Sequence, residues 1–311
     1  MVQVVWARLR ATSLLASLLL GVMGTPARAQ TIEDGLFMPK EALCTGFLYT
    51  HDSWEKYWEG SLKRINGNIG TITTETVSWM GNYGVTDRLN VIAMVPYVKT
   101  RASEGVLHGM KGFQDITVAA KYHLLETDFT KHGTLRTIVV ATAGAPLTDY
   151  TPDFMPLSIG SASKSLSGRL TLMFHARKGW FIHGSGGYTW RGKVTLDRAA
   201  YFTEDRLFLS DEVAMPDVFS YTLSAGYLTP RLHVPISFSQ QITRGGGDIR
   251  RQDMPFVSNR MNFQKVEALA MYYLPTPKNL SVRVAGTYAV NGRNVGQATT
   301  ITAGLLYTFH F

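Results

Sequence analysis

The feature that most constrains this chain is a two-residue alternation of apolar and polar side chains that recurs in segment after segment. Successive residues of a strand point to opposite faces, whereas a helical face repeats about every 3.6 residues, so the pattern predicts strands. Near residue 280, Leu280, Val282, Val284, Tyr288 and Val290 oppose Ser281, Arg283, Thr287 and Asn291. Leu232, Val234, Ile236 and Phe238 oppose His233, Ser237, Ser239 and Gln241. Ile116, Val118, Ala120, Tyr122 and Leu124 oppose Asp115, Thr117, Lys121 and His123. Twelve such segments are expected, at about 42–57, 68–83, 88–99, 113–124, 134–146, 164–176, 180–191, 216–229, 231–243, 259–274, 279–290 and 297–311.

The charged rows decide what each face meets. A Lys or Arg at mid-strand costs about 2–4 kcal/mol against lipid at the midplane, so in a membrane the polar row must face inward. After the first residues the chain has no apolar run of roughly 18, so it can cross a bilayer only as strands closed on themselves. The reading is all-β, a transmembrane antiparallel up-and-down β-barrel of about 12 strands over residues 42–311, in the bacterial outer membrane and in contact with its lipid.

The beginning of the chain agrees with that destination. Arg8 and Arg10, an apolar run from about Ser13 to Met23, and Ala27-Arg28-Ala29 form the layout of a secretory signal peptide over residues 1–29. Its three arginines reduce the net charge of +8 to +5 in the mature part, where the basic residues are scattered singly. Nucleic acid is therefore not an expected partner. The single Cys44 can make no internal disulfide.

Connection lengths and aromatic positions add two independent signs. Short links contain Thr86-Asp87, Arg177-Lys178-Gly179, Thr229-Pro230 and Pro275-Thr276-Pro277-Lys278, and long ones cover about 100–112, 147–163, 192–215 and 244–258. Outer-membrane barrels have short periplasmic turns and long external loops, although the connection near 126–133 is longer than that scheme wants. Tyr83, Tyr122, Phe174, Trp180, Tyr227, Tyr272, Phe309 and Phe311 are expected at the inner rim. Tyr97, Trp190, Phe219 and Tyr288 are expected at the outer one, which gives two headgroup girdles.

Residues 83–98, Tyr-Gly-Val-Thr-Asp-Arg-Leu-Asn-Val-Ile-Ala-Met-Val-Pro-Tyr-Val, resemble the signature hairpin of an outer-membrane family named for the meta pathway of phenol degradation. Gly112-Phe113-Gln114-Asp115 and Lys121-Tyr122 stand where that family carries Gly-x-Gly-Asp and Lys-Tyr, with Gln114 in place of the second glycine. The resemblance covers about residues 80–144 and the final strand. It implies uptake of hydrophobic or aromatic compounds across the outer membrane. Similarity of such proteins to fatty-acid transporters implies that residues 30–41 are an N-terminal segment able to plug the lumen. The last strand, with Tyr307, Phe309 and Phe311 at two-residue spacing, resembles the segment that the barrel-insertion machinery reads.

The expected activity is passive transport of a small-molecule solute, since about twelve strands leave a narrow lumen between the filled eight-stranded barrel and the open porin. Arg88, Lys121, His123, Arg169, His175, His183, Arg191, Lys265, Glu267 and Arg283 are candidates for the lumen row. Their basic excess points to anions or polar-headed aromatics. The alternative is that they pair with acids such as Asp115 and Glu267 and only keep the lumen wet. Two other functions are carried. In a barrel-embedded lipid hydrolase His183 would activate Ser185, as in a His-x-Ser array, with Asp197 a candidate orienting acid. A structural or adhesive barrel would act through its long loops without transport. No cofactor or metal is expected, because the eight histidines are isolated and no His-x-His or Cys-x-x-Cys occurs.

Overall fold

A computed structural model describes residues 31–129, 132–203, 206–249 and 257–311. The signal-peptide expectation falls on residues 1–29, outside the described residues.

Twelve long strands form a closed antiparallel β-barrel. They are β1 (Ala42–Trp54), β2 (Ile72–Thr86), β3 (Leu89–Ala102), β4 (Asp115–Phe129), β5 (Gly133–Pro146), β6 (Ser165–Ala176), β7 (Trp180–Arg191), β8 (Asp217–Leu228), β9 (Leu232–Arg244), β10 (Asn262–Tyr273), β11 (Leu280–Arg293) and β12 (Thr299–His310). Each pairs with its neighbours in sequence, and β12 returns to β1 with Ala42 opposite His310 and Ser53 opposite Thr299. Closure leaves no unpaired edge, which is what a sheet in lipid requires. A short strand, Lys111–Phe113, adds to the outer end of β3.

The faces sort as the alternation dictates. On β7 Trp180 is 63% and Ile182 60% exposed, while the alternate positions Phe181, His183 and Ser185 are buried. Leu223, Ile236, Val284 and Ile301 lie out on other strands, and Thr222, Ser224, Ala285 and Leu269 lie in. The exposed apolar belt is the lipid face. The aromatic girdles are real contacts: Trp180 meets Tyr227 edge-on at 5.3 Å at the short-turn rim, and Tyr97 meets Phe113 at 5.3 Å at the other.

Two connections differ from expectation. The link placed near 126–133 is mostly strand, since β4 and β5 pair from Asp115 opposite Pro146 to Phe129 opposite Gly133. A β-bulge between His123 and Leu125 turns Leu124 and Leu125 outward together, and this break in period imitates a strand end. The first strand stops at Trp54, and residues 55–71 form an external loop with its own hairpin of Lys56–Glu59 and Leu62–Ile65.

External loops are tied to one another. Asn294, in the left-handed region at φ +56°, donates to Asp248 Oδ1 at 2.7 Å and to the Arg260 carbonyl at 2.8 Å. Its side-chain oxygen accepts from the amides of Gly60 at 2.8 Å and Ile249 at 3.1 Å. Val194, Leu196, Val213, Met215 and Val257 make an apolar cluster between loops, against which Met155 packs. Loop 147–164 turns inward, where Leu157 is buried and its carbonyl accepts from Thr100 Oγ1 at 2.5 Å.

Candidate functional site: the barrel lumen

The inner half of the lumen holds residues 31–38, most of the stretch that precedes β1. Leu36 packs with Met173, Phe181 and Leu228, and Met38 with Cys44, Met80 and Met271. Ile32 and Phe37 pack on a wall patch of Ile92, Ala119, Ile138 and Val140. Apolar residues that alternation alone would count as misplaced in a wet lumen are thus covered by this segment. Its polar groups are matched too. Asp34 accepts from Lys121 Nζ at 2.7 Å, and the same ammonium donates to the Thr31 carbonyl at 2.8 Å. Glu33 pairs with Arg169 at 3.2 Å. The start of the segment is stapled within itself, because Asp34 also accepts from the Thr31 amide at 2.5 Å and the Leu36 amide at 3.0 Å.

The β2–β3 turn holds the segment as it leaves the lumen. The Glu41 amide donates to the Gly84 carbonyl at 2.8 Å and the Lys40 amide to Asp87 Oδ1 at 3.3 Å. A Cβ on Gly84 would lie 1.9 Å from the Pro39 carbonyl oxygen, so only glycine lets the two backbones come this close. Thr86 Oγ1 accepts from the amides of Arg88 at 3.2 Å and Leu89 at 3.0 Å, which closes the turn. Gly84, Thr86 and Asp87 of the signature hairpin therefore have local tasks.

Above the segment lies a chamber of about 370 Å³. Its wall carries the hydroxyls of Thr222, Ser224, Ser237, Ser239, Thr287 and Thr302 together with Lys265, Glu267 and His183, and its floor includes Glu33 and Asp34. Phe263 and Leu269 supply an apolar side. Glu267 accepts from Thr287 Oγ1 at 3.1 Å, and Lys265 Nζ stands 4.3 Å from the centre of the Phe263 ring.

The candidate lumen residues divide by surroundings. His183, Lys265 and Glu267 line the chamber, and the segment covers Lys121 and Arg169. Arg169 also donates to Ser185 Oγ at 3.1 Å and Ser220 Oγ at 3.0 Å. Arg283 is inward-facing and lies in the field of Glu267 and Asp34. His123 Nε2 lies 3.2 Å from the Glu126 carboxylate, and its ring leans on Phe37 with centroids 5.6 Å apart. His175 sits near the short-turn end of β6, opposite Phe181 of β7. Arg191 ends β7, where its amide donates to Asp217 Oδ1 at 2.9 Å. Arg88 is not in the lumen. It occupies the exposed turn between β2 and β3, because β3 begins at Leu89, one residue after the start expected at 88. Of the acids expected as partners, Asp115 accepts from Tyr150 at 2.6 Å instead, while the segment's Glu33 and Asp34 do the pairing.

The hydrolase array is not assembled. Ser185 Oγ accepts from Thr171 Oγ1 at 2.8 Å and from Arg169, while His183 stacks on Phe181 at 6.3 Å and its buried Nε2 meets no hydrogen-bond partner. Asp197 is exposed in an external loop. Among the described residues no group of three or more His, Cys, Asp or Glu is placed to hold a metal ion.

The family whose description reads MetA-pathway of phenol degradation matches residues 65–256. The chain belongs to this family. Curated protein sequences offer no match. Among solved structures, a COG4313 outer membrane channel from Pseudomonas putida F1 superposes with a TM-score of 0.69 at 15% identity, covering 91% of this chain and all (100%) of that one. At that identity the likeness speaks for the fold, that of an outer-membrane barrel. The translocator domain of the autotransporter NalP from Neisseria meningitidis reaches a TM-score of 0.45 at 8% identity, over 98% of each chain.

Proposed function

We propose that this family member is a passive channel for small solutes, aromatic ones among them, and that residues 31–41 obstruct its inner half. The observation that carries the reading is the 370 Å³ chamber, open space inside a closed barrel whose floor is a segment of the chain and not a strand of the wall. Such a floor can move without breaking the barrel's ladder of hydrogen bonds. The chamber suits a molecule with one polar end, because hydroxyls, Lys265 and Glu267 face Phe263 and Leu269 across a small volume. The likeness in fold to a protein titled an outer membrane channel supports passage, and the family's description supports aromatic solutes. Residues Lys265 and Arg283 are left to bias selectivity, since Lys121 and Arg169 are neutralised by the segment.

Single-channel conductance and liposome swelling test this. The full chain is expected to show small conductance, and the double substitution Glu33→Gln with Asp34→Asn, which removes both anchoring charges, to raise it severalfold. Unchanged conductance would remove the obstruction. Absence of swelling with every solute of a panel of phenols and aromatic acids, for both proteins, would remove passage altogether.

A further inference from the structure

Lys121 is 0% exposed, and the groups that satisfy its ammonium all come from the segment: the Thr31 carbonyl, the Asp34 carboxylate at 2.7 Å and the Phe37 ring, whose centre is 5.2 Å from Nζ. The same ring leans on His123 and packs on the patch that contains Ile92, Ala119 and Ile138. A carboxylate and an aromatic face thus converge on one buried cation beside an apolar slot. We infer that Lys121 and this slot form a binding site for an aryl carboxylate, and that Asp34 and Phe37 are its built-in occupants. The inference rests on the proposed passage of solutes past a movable segment.

The physical reason is the cost of an uncovered charge. An ammonium buried in a wall strand is strongly unfavourable without a counter-charge, so the segment leaves readily only when another anion takes the place of Asp34. A neutral phenol would fill the ring position and leave the ammonium unpaired. Acetate would pair the ammonium and leave the slot of Ile92, Ala119 and Ile138 empty. An aryl carboxylate replaces both groups at once, so its arrival and the withdrawal of the segment are one exchange, driven by its affinity for the displaced state. Glu33 and Arg169 repeat the carboxylate half of the arrangement at 3.2 Å on β6, which gives a carboxylate a second cation to move to.

The test is calorimetric titration of the full-length mature chain in detergent with benzoate, acetate and phenol. The variant Asp34→Ala with Phe37→Ala should bind benzoate at least about tenfold more tightly than the unmodified protein, a difference of about 1.4 kcal/mol. Acetate and phenol should each bind the variant more weakly than benzoate, and adding Lys121→Met should abolish the gain. Equal benzoate affinity with and without the substitutions, a gain that survives Lys121→Met, or acetate binding as well as benzoate would each overturn the assignment. Heat-modifiable gel mobility reports folding, and Asp34→Asn with Phe37→Leu, which keeps shape while removing charge and ring, replaces the first variant if that one fails to fold. Conductance on the same preparations separates the two readings. A variant that conducts more but does not bind benzoate sinks the aryl carboxylate site alone, whereas one that binds benzoate without conducting more sinks the obstruction proposal alone.

Discussion

Gly84 shows how a single position can carry information that alternation does not. Its neighbours in the hairpin are legible from sequence: Tyr83 is an exposed rim aromatic and Thr86 caps the turn through its hydroxyl. Nothing in the local pattern says that Pro39, from a segment before β1, passes against the Gly84 backbone. Gly84→Val would place atoms where the Pro39 carbonyl now sits, so the segment must shift and its anchor from the Glu41 amide must lengthen. The expected outcome is raised conductance with unchanged heat-modifiable mobility, since the barrel ladder is untouched. Loss of the folded band would show instead that Gly84 serves the barrel. Arg88 is the opposite case, a residue whose expected strand, 88–99, begins one position later at Leu89, which leaves Arg88 in an exposed turn.

At the scale of elements, strand existence and facing follow from period, and the errors arise where a period breaks. The bulge at His123 and Leu125 hid the inner end of β4, because two outward leucines in succession look like the start of a loop. Loop structure was not legible, since loops have no period to read. The clasp around Asn294 joins loop 55–71, Asp248 and Ile249 after β9, Arg260 before β10 and the β11–β12 turn with four hydrogen bonds, which use both amide protons and both lone pairs of one side chain. Asn294→Ala should abolish hydrogen-exchange protection of the Gly60 and Ile249 amides while leaving the strands protected. Retained protection at those amides would mean that the loops hold without it. The bonds from Arg293 to Asp248, and secondarily that from Asn294, hold the Asp248 carboxyl below its ordinary pKa despite opposing desolvation. A depressed folded-state pKa contributes stability above the unfolded value of about 3.9 and loses it as pH falls through the lower folded value. Protection of Gly60 and Ile249 is therefore expected to persist as pH is lowered to the ordinary carboxylate range and to fall only below it.

At the scale of the whole molecule, the barrel is a membrane protein turned relative to a soluble one, with its apolar belt outside. Leu223 and Ser224 are adjacent on β8, one exposed to lipid and the other turned toward the chamber. Leu223→Arg should destabilise the folded barrel by about 2–4 kcal/mol if the site lies near the midplane, read from denaturant unfolding in lipid vesicles. Ser224→Arg should cost far less and change ion selectivity instead, and the reverse ranking would mean that the faces have been assigned the wrong way round. That assignment was available from the chain alone: alternation is a local property, and a charged row beside an oily row at strand spacing leaves one solution in a bilayer. The rims of aromatics and the alternation of loop lengths are local in the same sense. What closure decided is which residues meet across the lumen. Lys121 and Asp34 are 87 positions apart, and Arg169 is further still from Glu33, so no periodicity relates them. Only when the sheet curls into a ring do wall cations surround one volume, and only then can Glu33 and Asp34 serve as their counter-charges.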